Sequence, residues 1–288
     1  MNTAVMPSKP AFVLVHGAWG GAWVWRRVLG PLRAAGHEVH AVTLTGDGER
    51  AHLRHAGINL ATHVADVTGL VQAEELDRFV LVGHSYGGMV ITAAAAALAA
   101  RGVKLHALVY VDAMVPLPGE SWSSHHAPEV VVSRLAAAAA HDNALPPPDM
   151  AGFALAEADA QWLARRHVNH PFGMYLEPVR FDAAALAGVP RWFVDCTTPA
   201  YPTIAPMRTR ARAAGVDGAR DRHRALPDGQ RAGAARAASA RRGGLSGCLT
   251  CRHSDHSQAM RPPLQRRGCV PIRALTGGKA VRKGPHAA

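Results

Sequence analysis

Ser85 lies in a G-x-S-x-G motif, residues 83–87, of the kind that carries a nucleophilic serine. The apolar, β-branched run 79–82 before it predicts a buried strand, and the alanine-rich run 91–100 after it predicts a helix. A serine on such a turn presents its hydroxyl above the sheet, where backbone N–H groups at the helix N-terminus favour a developing negative charge. This context predicts attack by Ser85 on a carbonyl group. The alternative is a glycine-rich strand–helix turn with an incidental serine.

The elements around this motif alternate between strand and helix. Strands are predicted at residues 11–15, 38–44, 79–82 and 105–111, with helices at 22–35, 60–76 and 91–100 between them. This alternation predicts an α/β fold with a doubly wound, mostly parallel sheet. The proline-rich segment 115–180 interrupts it and predicts a helical lid inserted over the serine, after which the sheet resumes at 190–196.

The chain changes character near residue 215. Its 288 residues carry a net charge of +11, yet residues 216–288 hold 15 Lys and Arg against four Asp, so residues 1–215 are neutral overall. The basic segment also contains no aromatic residue and no apolar periodicity. We therefore predict a domain at 1–215 and a disordered tail at 216–288, with the last strand and helix of the domain missing.

The tail has two features that suggest other chemistry. Cys248, Cys251, His253 and His256 are possible zinc ligands, but the histidines crowd the cysteines and no second pair has normal spacing. The arginines suggest an anionic partner, but without aromatic residues for stacking they do not favour nucleic acid binding. We predict no metal site.

Membrane insertion and secretion are not indicated. No apolar run approaches the roughly 20 residues that cross a bilayer. The first ten residues show neither a basic region nor a long apolar run, so no signal peptide is predicted. We expect a cytoplasmic protein without a membrane partner.

Several segments together resemble the α/β-hydrolase superfamily, namely residues 12–25, 44–50, 83–88, 110–112 and 196–206. Within it, the chain is similar to small esterases akin to plant methyl-ester esterases and hydroxynitrile lyases. The resemblance covers about residues 10–214. It implies the α/β-hydrolase fold, a catalytic Ser, Asp and His in that chain order, a small ester as substrate, and no metal or organic cofactor.

The resemblance also assigns roles by position. Ser85 is the expected nucleophile, and the backbone N–H groups of Tyr86 and Ala18 (or Gly17) are the expected oxyanion donors. Asp112, at the end of one strand, and Asp195, inside another, are the alternatives for the acid, and Asp112 is preferred. His16 and His84 flank the serine and are interpreted as residues that shape the pocket.

The catalytic histidine is not identified. It should follow the last core strand, but the histidines beyond Cys196 (His223, His253, His256 and His286) all lie in the basic tail. Residues 221–232 can be encoded by codons that, read one base later, give Ile-Ala-Thr-Gly-His-Cys-Pro-Met-Val-Ser-Glu, which resembles the family's strand end and Gly-His. We interpret the tail as an out-of-frame translation.

Three functional hypotheses follow. The first is a serine esterase of small carboxylic esters whose base is lost in this chain. The second is a hydroxynitrile lyase on the same fold. The third is a catalytically silent protein whose basic tail binds a partner. The sequence indicates neither the substrate nor the oligomeric state.

Overall fold

A six-stranded parallel sheet forms the centre of the protein. The computed structural model describes residues 9–153, 155–197, 200–214 and 216–221. In chain order the strands are β1 Ala11–Val15, β2 Val39–Val42, β3 Phe79–His84, β4 Leu105–Val111, β5 Ala144–Leu145, β6 His170–Pro171, β7 Arg191–Cys196 and β8 Asp217–Asp221. The large sheet has the order β2-β1-β3-β4-β7-β8, and each neighbouring pair in it is parallel.

Helices cover both faces of this sheet. The α-helices of the described chain are α1 Arg26–Ala34, α2 Leu60–Ala73, α3 Gly87–Ala99, α4 Pro128–Ala139, α5 Glu157–Ala164 and α6 Ala205–Ala213, of which α4 and α5 belong to the insertion described below. Leu32 of α1 packs with Phe12 and Val80 on one face, while α2 and α3 contribute to the core on the other. Strands covered on both faces read as continuous apolar runs, as β1 does with all five residues buried. The predicted doubly wound sheet is confirmed.

The predicted lid is an insertion between β4 and β7. It contains α4 and α5 together with the short antiparallel pair β5 and β6. Trp122, Phe172 and Tyr175 anchor it in the main hydrophobic core, which explains how a proline-rich segment can be ordered.

The last strand corrects one sequence prediction. β8 pairs with β7 over five residues, from Trp192 opposite Asp217 to Cys196 opposite Asp221. A strand therefore follows β7 within the described residues, where the sequence predicted none, and the described sheet extends past residue 215. At the edge of the described sheet, β8 is held by main-chain hydrogen bonds to β7, and such pairing does not require an apolar sequence pattern. The missing last helix and the disordered tail were predicted for residues that, beyond 221, lie outside the described part of the chain.

No helix in the described part of the chain has both the length and the apolarity to span a membrane.

The turn between β3 and α3 has no space for side chains at its glycines. A Cβ atom added to Gly87 would lie 2.6 Å from the carbonyl oxygen of His16, and one added to Gly88 would lie 2.0 Å from that of Met114. Real Cβ atoms do not approach main chain so closely. Gly87 and Gly88 therefore let the turn touch the loops that follow β1 and β4.

We predict that Gly88→Ala destabilises the fold by about 3 kcal/mol, because the loop that holds Met114 must move away from the turn. Urea unfolding would measure the change. Gly69→Ala is the matched control, since Gly69 is exposed inside α2 and its added Cβ meets nothing within 4 Å. This control should gain about 0.5–1 kcal/mol from helix propensity. Equal stability of the two variants would contradict the close-contact explanation.

Candidate active site

Ser85 occupies a strained backbone conformation at the start of α3. Its φ is +50°, in the left-handed region that non-glycine residues rarely adopt. Two hydrogen bonds hold it there, because its carbonyl oxygen accepts from the N–H groups of Gly88 and Met114, each at 3.0 Å. The side chain lines a cavity of about 820 Å³, counted with its open mouth. Strain of this kind, fixed by surrounding contacts, is typical of functional positions.

The two amides expected to bind an oxyanion lie on either side of Ser85. Tyr86 directly precedes α3, and Ala18 lies in the loop after β1 and lines the same cavity. Within the described residues, neither N–H group donates a backbone hydrogen bond. The loop approaches the serine closely, since a Cβ added to Gly17 would lie 3.0 Å from the Cβ of Ser85. In the described structure, two amides without a backbone partner therefore lie close to the serine.

His16 holds the loop that carries Ala18. It is fully buried, and its Nε2 accepts the N–H of Leu44 at 3.0 Å. Nδ1 is then the protonated nitrogen and donates to the carbonyl oxygen of Gly17 at 2.6 Å. Burial lowers the pKa of His16, although the nearby Asp47 opposes this effect, so the ring is a neutral structural group. His84, which was interpreted in the same way, lines the cavity.

Asp112 follows β4 directly, lines the cavity and is 2% exposed. Its carboxylate accepts a hydrogen bond from Arg208 at 2.6 Å. Burial raises the pKa of Asp112 to about 7, with Arg208 acting in the opposite direction. Asp195 also binds Arg208, at 2.5 Å, and Arg212, at 3.2 Å, but it does not line the cavity. The structure therefore brings Asp112, and not Asp195, to the same cavity as Ser85.

Three histidines line the cavity, namely His84, His126 and His167. Nδ1 of His126 is 2.7 Å from the hydroxyl of Tyr175, and Nδ1 of His167 is buried with no hydrogen-bond partner among the described residues. The Asp112 carboxylate accepts hydrogen bonds from Arg208 and from the Cys196 amide. No histidine is among its partners in the described structure. The four histidines beyond Cys196 lie outside the described residues.

A buried pair beside the site was not found from the sequence. Asp47, in the loop after β2, and His170, in β6 of the lid, are both fully buried, and Nδ1 of His170 is 2.8 and 2.9 Å from the two carboxylate oxygens. Burial raises the pKa of Asp47 to about 7 and lowers that of His170 to about 3, so a neutral imidazole donates to the carboxyl group. His63 is next to this pair, and its Nδ1 is 3.0 Å from the hydroxyl of Tyr86. The network ties the lid to the side chain that follows the serine.

Residues of the lid that line the cavity were also missed. Arg134, Trp122 and His126 all belong to the segment that the sequence analysis treated only as a cover. No local motif marks them, because each reaches the cavity through the packing of the lid on the sheet. Arg208 of α6 was also missed, because tertiary packing brings it to Asp112 across 96 residues of sequence.

Within the residues that the structure describes, one group of side chains has ligand atoms close enough together to hold a metal ion. Glu38, His40 and Glu74 place such atoms within 4.8 Å of one another. None of the three lines the cavity, and His40 already bonds Glu38 at 2.8 Å. The contact between His40 and Glu38 explains this arrangement, and we assign no metal site to it.

Comparison with known proteins identifies the family to which this chain belongs. The model of the "Alpha/beta hydrolase family" matches residues 12–264. The chain is 54% identical over 110 residues to the carbendazim hydrolyzing esterase of Nocardioides sp. (strain SG-4G), covering 38% of this chain and 44% of that protein. It is 35% identical over 112 residues to the alpha-hydroxynitrile lyase of Arabidopsis thaliana, covering 38% and 42%. The matched segment thus spans less than half the length of either curated relative.

A solved structure with the same fold is an extracellular alpha/beta-hydrolase from a Paenibacillus species. The two chains superpose with a TM-score of 0.67 at 22% identity, covering 75% of this chain and 91% of the other. At that identity the likeness concerns the fold.

The buried histidines predict a loss of stability in acid. Burial lowers the pKa of His63, His126 and His167 to about 4 and that of His170 to about 3. These rings take up protons on unfolding below about pH 6.5, so the free energy of unfolding falls as the pH falls from about 6.5 to 4. Burial raises the pKa of Asp47 and of Asp112, and this effect acts in the opposite direction. Both carboxyl groups bind protons in the folded state that the unfolded chain releases. Five histidines with a lowered pKa, counting His16, outweigh these two aspartates, so unfolding takes up protons on balance near pH 5.

Urea midpoints at pH 5 and pH 7 would test this expectation. We expect the lower midpoint at pH 5, and a weaker pH dependence in His167→Gln. His52→Gln is the control, since His52 is exposed. Equal or greater stability at pH 5 in the unmodified protein would show that the buried histidines do not control the acid limit.

Proposed function

Because the chain belongs to the alpha/beta hydrolase family, we propose that it is a serine hydrolase of small carboxylic esters, built for a Ser-His-Asp acyl-enzyme mechanism. The observation that carries the proposal is the environment of Ser85. The serine is held at a φ of +50° in a cavity, beside two amides without backbone partners.

The proposed reaction has two steps. The Ser85 oxygen attacks the ester carbonyl while a base removes the hydroxyl proton, and the alcohol leaves with that proton. Water then attacks the acyl-enzyme, its proton goes to the same base, and the acid and free Ser85 are released. The N–H groups of Tyr86 and Ala18 donate to the oxyanion in both steps, each contributing about 3 kcal/mol of transition-state stabilisation.

Asp112 is the proposed acid. It ends its strand on the cavity, and the N–H of Met114, two residues further, donates to the carbonyl oxygen of Ser85. This contact joins the acid's loop to the nucleophile's turn. Asp195 has both carboxylate oxygens occupied by arginines, so it is the poorer partner for an imidazole.

The proposed base belongs directly after β8. All strands of the large sheet are parallel, so the C-terminal end of β8 lies at the same sheet edge as Ser85 and Asp112. The alternative reading frame would place Gly-His shortly after the end of this strand. In the present frame the residues 222–225 are Arg-His-Arg-Ala. We propose that the chain as given lacks its general base.

A second candidate is hydroxynitrile lyase. The similarity to the Arabidopsis thaliana alpha-hydroxynitrile lyase favours it. Release of cyanide from mandelonitrile, without hydrolysis of an aryl ester, would select this reaction over the esterase.

The remaining alternative is a silent protein with a partner-binding tail, which lies outside the described residues. Salt-dependent retention on heparin without ester turnover would favour it. A cytoplasmic location also stays a prediction.

We predict that a fluorophosphonate probe labels Ser85 slowly in the 288-residue protein, because a serine without a base is a weak nucleophile. Ser85→Ala should abolish the labelling, as read by intact-protein mass spectrometry. Ser133→Ala, on the exposed surface of α4, is the control and should label normally. Labelling that survives in Ser85→Ala would remove this serine from the proposed role.

For the acid, we predict that Asp112→Asn in the frame-restored chain lowers turnover of p-nitrophenyl acetate by about four orders of magnitude, because the imidazole loses its orienting partner. Asp195→Asn is the matched control, since it breaks the other contact of the same Arg208. A large loss in Asp195→Asn with little loss in Asp112→Asn would reverse the assignment.

A further inference from the structure

Arg134 reaches the cavity from α4 of the lid and lies against three aromatic rings. Its guanidinium carbon is 5.8 Å from the ring centroid of Trp19, 5.4 Å from that of Trp122 and 5.5 Å from that of Tyr175. Contacts within about 6 Å are attractive, because the ring faces carry negative potential. Arg134, Trp19 and Trp122 line the same cavity as Ser85.

The charge of Arg134 is not balanced by a carboxylate in the described structure. The arginine ion pairs of the described residues involve Arg27, Arg50, Arg208, Arg210 and Arg212, and Arg134 is in none of them. Among the described residues lining the cavity, the only carboxylate is that of Asp112, which is bound by Arg208.

Two histidines that line the cavity, His126 and His167, do not add a negative charge that would balance Arg134. The pKa values of His126 and His167 are lowered to about 4, mainly by burial, so both rings are neutral at pH 7. For His126 the charge of Arg134 is the second cause of this shift. The cavity therefore presents a net positive group to a ligand.

The rest of the cavity wall is largely apolar. Val24, Met114, Pro148, Met150, Phe153 and Ile204 all line it. An apolar or aromatic ligand body fits such a wall, and a guanidinium at one place on it favours a planar anionic group, to which Arg donates in a fixed fork.

We propose that Arg134 binds a free carboxylate of the substrate, so that the preferred substrates are half-esters of dicarboxylic acids. This inference rests on the proposed function, because it takes the Ser85 cavity to be where esters bind. The competing explanation is that Arg134 only packs the lid through its ring contacts, which would give no preference for an anion.

The direct test is binding, which needs no turnover. Glutaranilic acid carries a phenyl ring, an amide in place of the ester and a free carboxylate, and N-phenylpentanamide is its neutral counterpart. We expect calorimetry on the 288-residue protein to show about 10- to 100-fold tighter binding of the anion, the range for a hydrogen-bonded charge. Arg134→Gln should remove the preference, and Arg134→Lys should keep part of it.

The control variant is Arg166→Gln. Arg166 also lies in the lid over an aromatic ring, 4.7 Å from the centroid of Trp162, but it does not line the cavity. It should keep the full preference for the anion. Equal binding of the two ligands by the unmodified protein, or an equal loss for both in Arg134→Gln, would overturn the proposal and leave Arg134 as a packing residue.

Turnover separates this inference from the function on which it rests. Monomethyl glutarate and methyl pentanoate are compared with the frame-restored chain. Anion-selective binding without hydrolysis of either ester would support the carboxylate site and contradict the esterase. Hydrolysis of both esters at equal kcat/KM, without selective binding, would support the esterase and overturn the carboxylate site.

Discussion

Main-chain contact at the turn between β3 and α3 is the constraint on which the site depends. Gly87 touches the end of β1, and Gly88 touches the loop after β4, with no space for a side chain at either position. That loop also donates the N–H of Met114 to the carbonyl oxygen of Ser85. One packed junction therefore fixes the strained serine, the loop after β1 and the loop of Asp112 relative to one another.

Buried polar groups around this junction are arranged in neutral or paired form. His16 donates to Gly17 and accepts from Leu44, Asp47 is bonded to His170, and Asp112 is bonded to Arg208. Burial of an isolated charge is costly, so each pairing stabilises a group that the position of the loops forces inside. Arg134 differs, because its charge faces the cavity with aromatic rings as its contacts. The charge of Arg208 therefore stabilises the fold, whereas the charge of Arg134 is available to a ligand in the cavity.

Local patterns predicted much of the fold. The strands β1 to β4 and β7, the serine turn and the position of the lid all follow from apolar runs, glycines and prolines that are close together in sequence. β8 was missed because its edge position needs only main-chain pairing. The pair of Asp47 and His170 was missed because 123 residues separate its members, and tertiary packing alone brings them together. The same limit hid Arg134 and Arg208, whereas Asp112 could be chosen because it ends a predicted strand.

The central claim is that a hydrolase scaffold is complete around Ser85 except for its general base. The most direct test compares p-nitrophenyl acetate hydrolysis by the 288-residue protein with hydrolysis by the same gene with its frame restored after residue 220. We expect the restored chain to be at least about 1,000-fold faster, because a missing triad member returns. Turnover by the 288-residue protein at ordinary enzyme rates, about 1 to 1,000 per second, would contradict it.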